Sequence, residues 1–277
     1  MAEYTLGYIL LLERKLMLAK SQQEAKTWIE EPFKEGTRPL AGLTLGLLGC
    51  GDIGQQIVKA AKAMGLKTVA FKRDISTPVD SVDLLSDDVA TVLSASDFLV
   101  NTLPSTPATR GLLSGGALAA CASADRAVPT MFINVGRGDI MAEEDIIAAL
   151  EAGWIGQAVL DVFPVEPLPV TSALWQHPQV IAIPGHVFVP SGTNFWWGGE
   201  QVLITPHISA VSFPKDVGEI FAANLERYLE SGTPRPQHLI VQFWLPVYFL
   251  TGEMLRTAKV KGKNRVRAHR MGGWGRS

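Results

Sequence analysis

The residues best suited to hold a charged ligand lie in Gly49-Cys50-Gly51-Asp52-Ile53-Gly54, a G-x-G-x-x-G spacing set between an apolar run and a helix-like stretch. Each glycine answers a separate demand. Gly49 permits a tight turn, Gly51 lets backbone approach a pyrophosphate, and Gly54 lets helix and strand pack closely. The helix opening at Asp52 and Ile53 offers phosphate its unpaired N–H groups and partial positive charge. Cofactor choice falls further along. An NAD-specific site wants a carboxylate at the end of the second strand for the ribose 2′-OH. Here the run Thr68–Phe71 enters Lys72-Arg73-Asp74, which puts two cations where a 2′-phosphate would lie. A guanidinium can grip phosphate with two prongs. NADP(H) is therefore expected, with NAD(H) the alternative that Asp74 would serve.

Four further segments set polar and charged side chains just past apolar runs: NTLPSTPATRG over residues 101–111, FINVGRGD over 132–139, LDVFPVEP over 160–167 and LITPHISA over 203–210. Strand ends of this kind are where α/β folds bind ligands. Taken singly, Arg137 reads as a turn residue presented with little steric cover between two glycines. Glu166 reads as a solvated carboxylate between prolines, and His207 as an ordinary part-buried histidine. His186, in Ile183-Pro-Gly-His186, imitates the Pro206-His207 segment, and His177 and His238 have no supporting context.

In this order the motifs resemble those of the D-isomer-specific 2-hydroxyacid dehydrogenases, glyoxylate/hydroxypyruvate reductases among them. The resemblance runs over residues 1–179 and about 202–235. It implies an NADP(H)-dependent oxidoreductase that interconverts a 2-oxo acid and a D-2-hydroxy acid by hydride transfer. It assigns Arg137 to the substrate's carboxylate and carbonyl, His207 to acid/base work and Glu166 to pairing with that histidine. Asp161 falls where the nicotinamide amide is held, and Leu103, Pro104, Thr109 and Val135 fall along the cofactor. The residue types suit the chemistry. Reducing a ketone needs a proton on oxygen, which histidine supplies near neutral pH. A neighbouring carboxylate stabilises the imidazolium, and a guanidinium binds a planar carboxylate and polarises the carbonyl. The resemblance also implies a homodimer formed through the opening helix, a cytoplasmic setting and no metal. A catalytically impaired or non-catalytic dinucleotide-binding fragment or regulator is the alternative.

The elements that must position these residues alternate. Residues 4–26 read as one amphipathic helix, followed by a loop marked by Pro32, Gly36 and Pro39. Strands are expected over 43–48, 67–71, 98–102, 131–134 and 157–160, and helices over 53–64, 87–94 and 143–152. Short, continuous apolar strands suit a parallel sheet covered on both faces. The fold class is α/β, a Rossmann-type doubly wound parallel sheet. The dinucleotide-binding domain is expected over 1–235, with an interdomain helix region over 1–30.

The chain has 277 residues, 47% of them hydrophobic and 19% charged, which excludes a disordered or fibrous chain. Two cysteines, Cys50 and Cys121, exclude a disulfide framework. The net charge of −2 is uneven: eight bases lie in residues 251–277 with a single acid, Glu253, so the remainder is acidic. An acidic body excludes general nucleic-acid binding. No signal peptide or membrane-spanning run is seen.

Three departures from the family pattern are expected to matter. About a hundred residues that would form most of a substrate domain are absent before the opening helix. Residues 180–201 are inserted between Gln179 and Val202. Because valine codons begin GT and glutamine can be CAG, this insert reads as a retained intron. It would either bulge or compete for the place of the His207 strand. From about residue 236 the chain reads as an atypical basic tail.

Overall fold

The computed structural model describes residues 1–34, 37–122, 127–176, 180–182 and 202–210. Among the described residues, eight strands form one sheet: β1 (Thr44–Leu48), β2 (Lys67–Phe71), β3 (Leu84–Ser86), β4 (Phe98–Asn101), β5 (Thr130–Asn134), β6 (Ile155–Leu160), β7 (Val180–Ala182) and β8 (Val202–Ile204). Their spatial order is β3-β2-β1-β4-β5-β6-β8-β7, and every pairing is parallel. The order reverses at β1, which sits between β2 and β4. This is the doubly wound arrangement, with its ligand crevice at the reversal point.

Strand side chains alternate between two cores, as the two-residue period requires. Leu45, Leu47, Phe98, Val100, Met131, Ile133, Val159 and Leu203 join one. Leu48, Leu99, Phe132, Ala158, Leu160 and Ile204 join the other. The first core is covered by helices α1 (Ala2–Glu13), through Leu6, Ile9 and Leu12, and α4 (Asp52–Ala63), through Ile57, Val58 and Ala61. The second is covered by α5 (Val89–Ala95), α6 (Glu143–Glu151) and α7 (Ala173–Gln176). Burying a side chain such as Phe98 or Phe132 completely contributes roughly 2–3 kcal/mol. That explains strands apolar on both faces.

The structure corrects the reading of the chain's start. Residues 4–26 are not one helix: α1 ends at Glu13, and α2 (Leu16–Ala25) follows a break at Lys15, which is left-handed with φ 54°. Glu13, the last residue of α1, is tied down beside the break. Its carboxylate is buried and accepts from Arg38 N, Nε and Nη2. Arg38 Nη1 reaches Asp97, whose other oxygen accepts from Thr44 N at the head of β1. Lys15 Nζ donates to the Pro32 carbonyl. Pro32 lies within a short helix, α3 (Glu31–Lys34), and not in an open loop. Its fixed φ and missing N–H are tolerated in a first helical turn.

β3 and α7 had no counterpart in the sequence reading. Part of the insert is also ordered. β7 pairs outside β8 in the register Val180↔Val202, Ile181↔Leu203 and Ala182↔Ile204, so β8 keeps its place beside β6. The rest of the insert, residues 211–235 and the basic tail lie outside the described residues. Among the described residues, no helix is long and apolar enough to cross a membrane.

Candidate active site

One transverse row of paired residues crosses the sheet near its carboxyl edge: Ser86, Phe71, Leu48, Asn101, Asn134, Leu160 and Ile204. The residues singled out for chemistry follow this row by one to eight positions, so parallel register brings the segments that carry them to one edge. Leu48 is followed by the glycine loop and Phe71 by Lys72 and Arg73. Asn101 leads to Leu103 and Pro104, and Asn134 to Val135 and Arg137. Leu160 leads to Asp161 and Glu166, and Ile204 to His207.

The glycine loop meets each steric demand. Gly49 has φ +95°, which side-chain-bearing residues avoid. A Cβ on Gly54 would lie 2.4 Å from the Gly49 carbonyl oxygen, whereas one on Gly51 would meet nothing within 4 Å. The space a pyrophosphate would need is therefore open. Gly51 caps α4 without any side-chain bond to the helix's first amides. A dinucleotide's phosphates fit those free donors and that open space. Asp52 and Ile53 are both exposed at this end.

Beside the loop, Lys72 Nζ reaches the Thr77 carbonyl and Arg73 is exposed. Asp74 turns away into its own turn, accepting from Ser76 N at 3.0 Å and Ser76 Oγ at 2.6 Å. These bonds hold its carboxyl below the usual carboxylate range. Burial pushes the Cys50 thiol up, and the Lys72 charge acts in the opposite direction without cancelling it.

The loop after β4 closes over the glycines. Thr102 Oγ1 donates to Gly49 O at 2.6 Å, and Leu103 is half-buried against Gly49. Pro104 is exposed. Thr109 serves its own loop, its hydroxyl donating to Pro104 O and accepting from Thr106 N. Val135 is buried.

Arg137 stands exposed on a loop whose flanking glycines also meet a packing demand. A Cβ on Gly136 would lie 2.8 Å from both Asn101 Nδ2 and Leu103 O, and one on Gly138 only 1.9 Å from the Phe163 carbonyl carbon. The Arg137 loop is thus clamped between the loops after β4 and β6. The glycines allow this close backbone packing, and Arg137 between them is exposed.

Two buried asparagines, quoted within the motifs but not singled out, organise this clamp. Asn101 Nδ2 donates to Asn134 Oδ1 at 2.9 Å, Leu103 N donates to Asn101 Oδ1, and Asn134 Nδ2 donates to Arg137 O. A polar residue ending an apolar strand was the available signal. Beyond the clamp, Asp139 Oδ2 accepts from Ser105 Oγ and lies 3.3 Å from Arg110 Nε.

His207 and Glu166 meet. Nδ1 lies 2.7 Å from Glu166 Oε2, and Oε1 accepts from Phe163 N at 2.9 Å. A carboxylate only accepts, so Nδ1 carries the proton and Nε2 is left for a ligand. Glu166 is therefore not a freely solvated carboxylate. Asp161 is fully buried, and its carboxylate accepts from Thr205 Oγ1, Ile208 N and Ser209 N, which fixes both sides of His207. His207 itself has φ 55°. His177, His186 and His238 lie outside the described residues. No group of three or more metal-ligating side chains gathers among the described residues.

The chain is similar in sequence and fold to known dinucleotide-binding dehydrogenases. The family model for the NAD binding domain of D-isomer specific 2-hydroxyacid dehydrogenases matches residues 6–187. Glyoxylate/hydroxypyruvate reductase A of Serratia proteamaculans is 29% identical over 237 residues, covering 84% of this chain and 65% of that protein. The chain thus spans about two thirds of the length of such relatives. A 2-hydroxyacid dehydrogenase of Xanthobacter autotrophicus, solved with NADPH and MES, superposes with TM-score 0.64 at 29% identity, covering 84% of each chain. An NADPH-dependent glyoxylate/hydroxypyruvate reductase of Sinorhizobium meliloti, solved with NADP and sulfate, gives TM-score 0.66 at 28% identity, covering 85% of this chain and 66% of that one.

Proposed function

The chain belongs to the D-isomer specific 2-hydroxyacid dehydrogenase family, and on that premise we propose that it reduces a small 2-oxo acid of the glyoxylate/hydroxypyruvate class with NADPH. The observation that carries this reading is the His207–Glu166 pair, at the same carboxyl edge of the sheet as the open glycine loop. A bound nicotinamide would supply the hydride. Around it, the α4 amides and the open face of Gly51 receive the phosphates. Arg73 and Lys72 receive a 2′-phosphate, and the engagement of Asp74 with Ser76 leaves the ribose no free carboxylate there. Leu103, Pro104, Thr109 and Val135 line the cofactor's path. Arg137 holds the substrate's carboxylate and polarises its carbonyl. His207 gives its Nε2 proton to the developing alkoxide, while Glu166 steadies the imidazolium.

On this reading residues 1–235 form the dinucleotide domain, and the setting is cytoplasmic. A second copy of the chain covers α1, whose Tyr8 and Leu11 are only half-buried. Fluorescence titration with NADPH and NADH, followed by NADPH oxidation with glyoxylate and hydroxypyruvate, tests the reading. Tighter binding of NADPH, a preference lost in Arg73→Ala, and turnover abolished in His207→Asn are expected. Binding without turnover would overturn the enzymatic reading, and preference for NADH would overturn the cofactor.

A further inference from the structure

We propose that Tyr4 and Thr205 are positioning residues for His207, linking the opening helix α1 to the loop that carries the histidine; the inference rests on His207 being the acid/base. Tyr4 Oη lies 2.6 Å from Thr205 Oγ1, although 201 residues separate them in sequence. The direction of the chain of bonds follows from its end. The Asp161 carboxylate can only accept, so Thr205 spends its one hydroxyl proton on Asp161 Oδ1. Thr205 must then accept, and Tyr4 donates. Burial holds the Tyr4 phenol well above its ordinary value, so this proton stays in place across the working range.

Downstream, the same Asp161 carboxylate takes the amides of Ile208 and Ser209. His207 N donates back to Thr205 O at 3.0 Å. His207 is thereby held in its left-handed backbone from both flanks, and its ring is aimed at Glu166. Such a conformation persists only where the surroundings over-determine it. Tyr4 is itself fixed. It sits on α1 between Met1 and the buried Leu6, and its ring centroid lies 4.5 Å from that of Tyr8. A helix at the beginning of the chain therefore sets the aim of a side chain some two hundred residues further on. The alternative is that Tyr4 merely packs α1 onto the sheet.

The test uses the full chain carrying Tyr4→Phe, Thr205→Val or Thr205→Ser. Four quantities are read: kcat and KM for glyoxylate against pH, NADPH affinity, melting temperature, and the ¹⁵N titration of the His207 imidazole, assigned by its disappearance in His207→Asn. Tyr4→Phe and Thr205→Val are expected to lower kcat about tenfold, the scale of a small misplacement of a catalytic group. They should also displace the imidazole titration and leave NADPH affinity unchanged. Thr205→Ser, which keeps the hydroxyl, should restore wild-type behaviour. A Tyr4→Phe protein that melts earlier but keeps the wild-type titration and kcat would overturn the proposal. If the wild-type chain gives no turnover, the enzymatic reading fails by itself, while the imidazole titration of the same samples still decides whether Tyr4 positions His207.

Discussion

Arg137 illustrates how a residue's neighbours do work that its own side chain does not reveal. Its loop is held on one side by Asn134 and Leu103 and on the other by the backbone of Phe163 at Gly138. Gly138 leaves no room for even a methyl group. Gly138→Ala should force apart the loops bearing Arg137 and Glu166. It should cost about 3 kcal/mol of stability, the upper end of overpacking penalties, with kcat/KM falling further than the lost folded fraction explains. Urea melts and steady-state kinetics on one preparation check both. A variant of wild-type stability would mean that the two backbones are not in contact.

At the scale of elements, α5 offers a test of charge apart from geometry. Asp88 caps it, accepting from Thr91 N at 2.9 Å and Ala90 N at 3.2 Å. The Thr91 hydroxyl and then the Thr91 amide lower its pKa. A carboxyl whose folded pKa is depressed stabilises the fold above its unfolded value of about 3.9, and that contribution is lost as pH falls through the folded value. Asparagine caps helices about as well as aspartate but carries no charge. Asp88→Asn should therefore keep α5 intact, yet lose the part of the acid decline in stability that Asp88 causes. Urea midpoints measured from neutral pH down to acid would show it, and an unchanged acid limb would rule it out. What the sequence disclosed at this scale follows from burial. β2 is legible because Gly65 ends the preceding helix and the apolar run Val69–Phe71 stops at Lys72. β3 was missed because a three-residue edge strand with half-exposed Leu84 has no pattern to read. The break at Lys15 was missed because neither glycine nor proline marks it. The Arg38–Glu13 contact beside it joins positions 25 residues apart. The glycine loop and the His207–Glu166 pair were legible because local turn chemistry and a familiar motif order declare them. Tyr4 was not, since nothing nearby in the chain hints at a partner 201 positions away.

For the whole molecule, the position of β7 settles what the insert does to the sheet. It adds an outer strand and leaves β8 paired with β6. Removing residues 180–201 and joining Gln179 to Val202 should therefore preserve cooperative unfolding and NADPH affinity. Differential scanning calorimetry and nucleotide titration of the shortened chain would check this. Loss of either would make β7 a necessary edge, and would weigh against reading the insert as a retained intron.

The left-handed backbone at His207 also governs which sequences can occupy that position at all. Glycine, asparagine and aspartate adopt such a conformation at little cost, whereas valine, isoleucine and threonine do so only as outliers. A library randomised at codon 207 and sorted for soluble expression alone should keep the first group and shed the second, before any selection for turnover is applied.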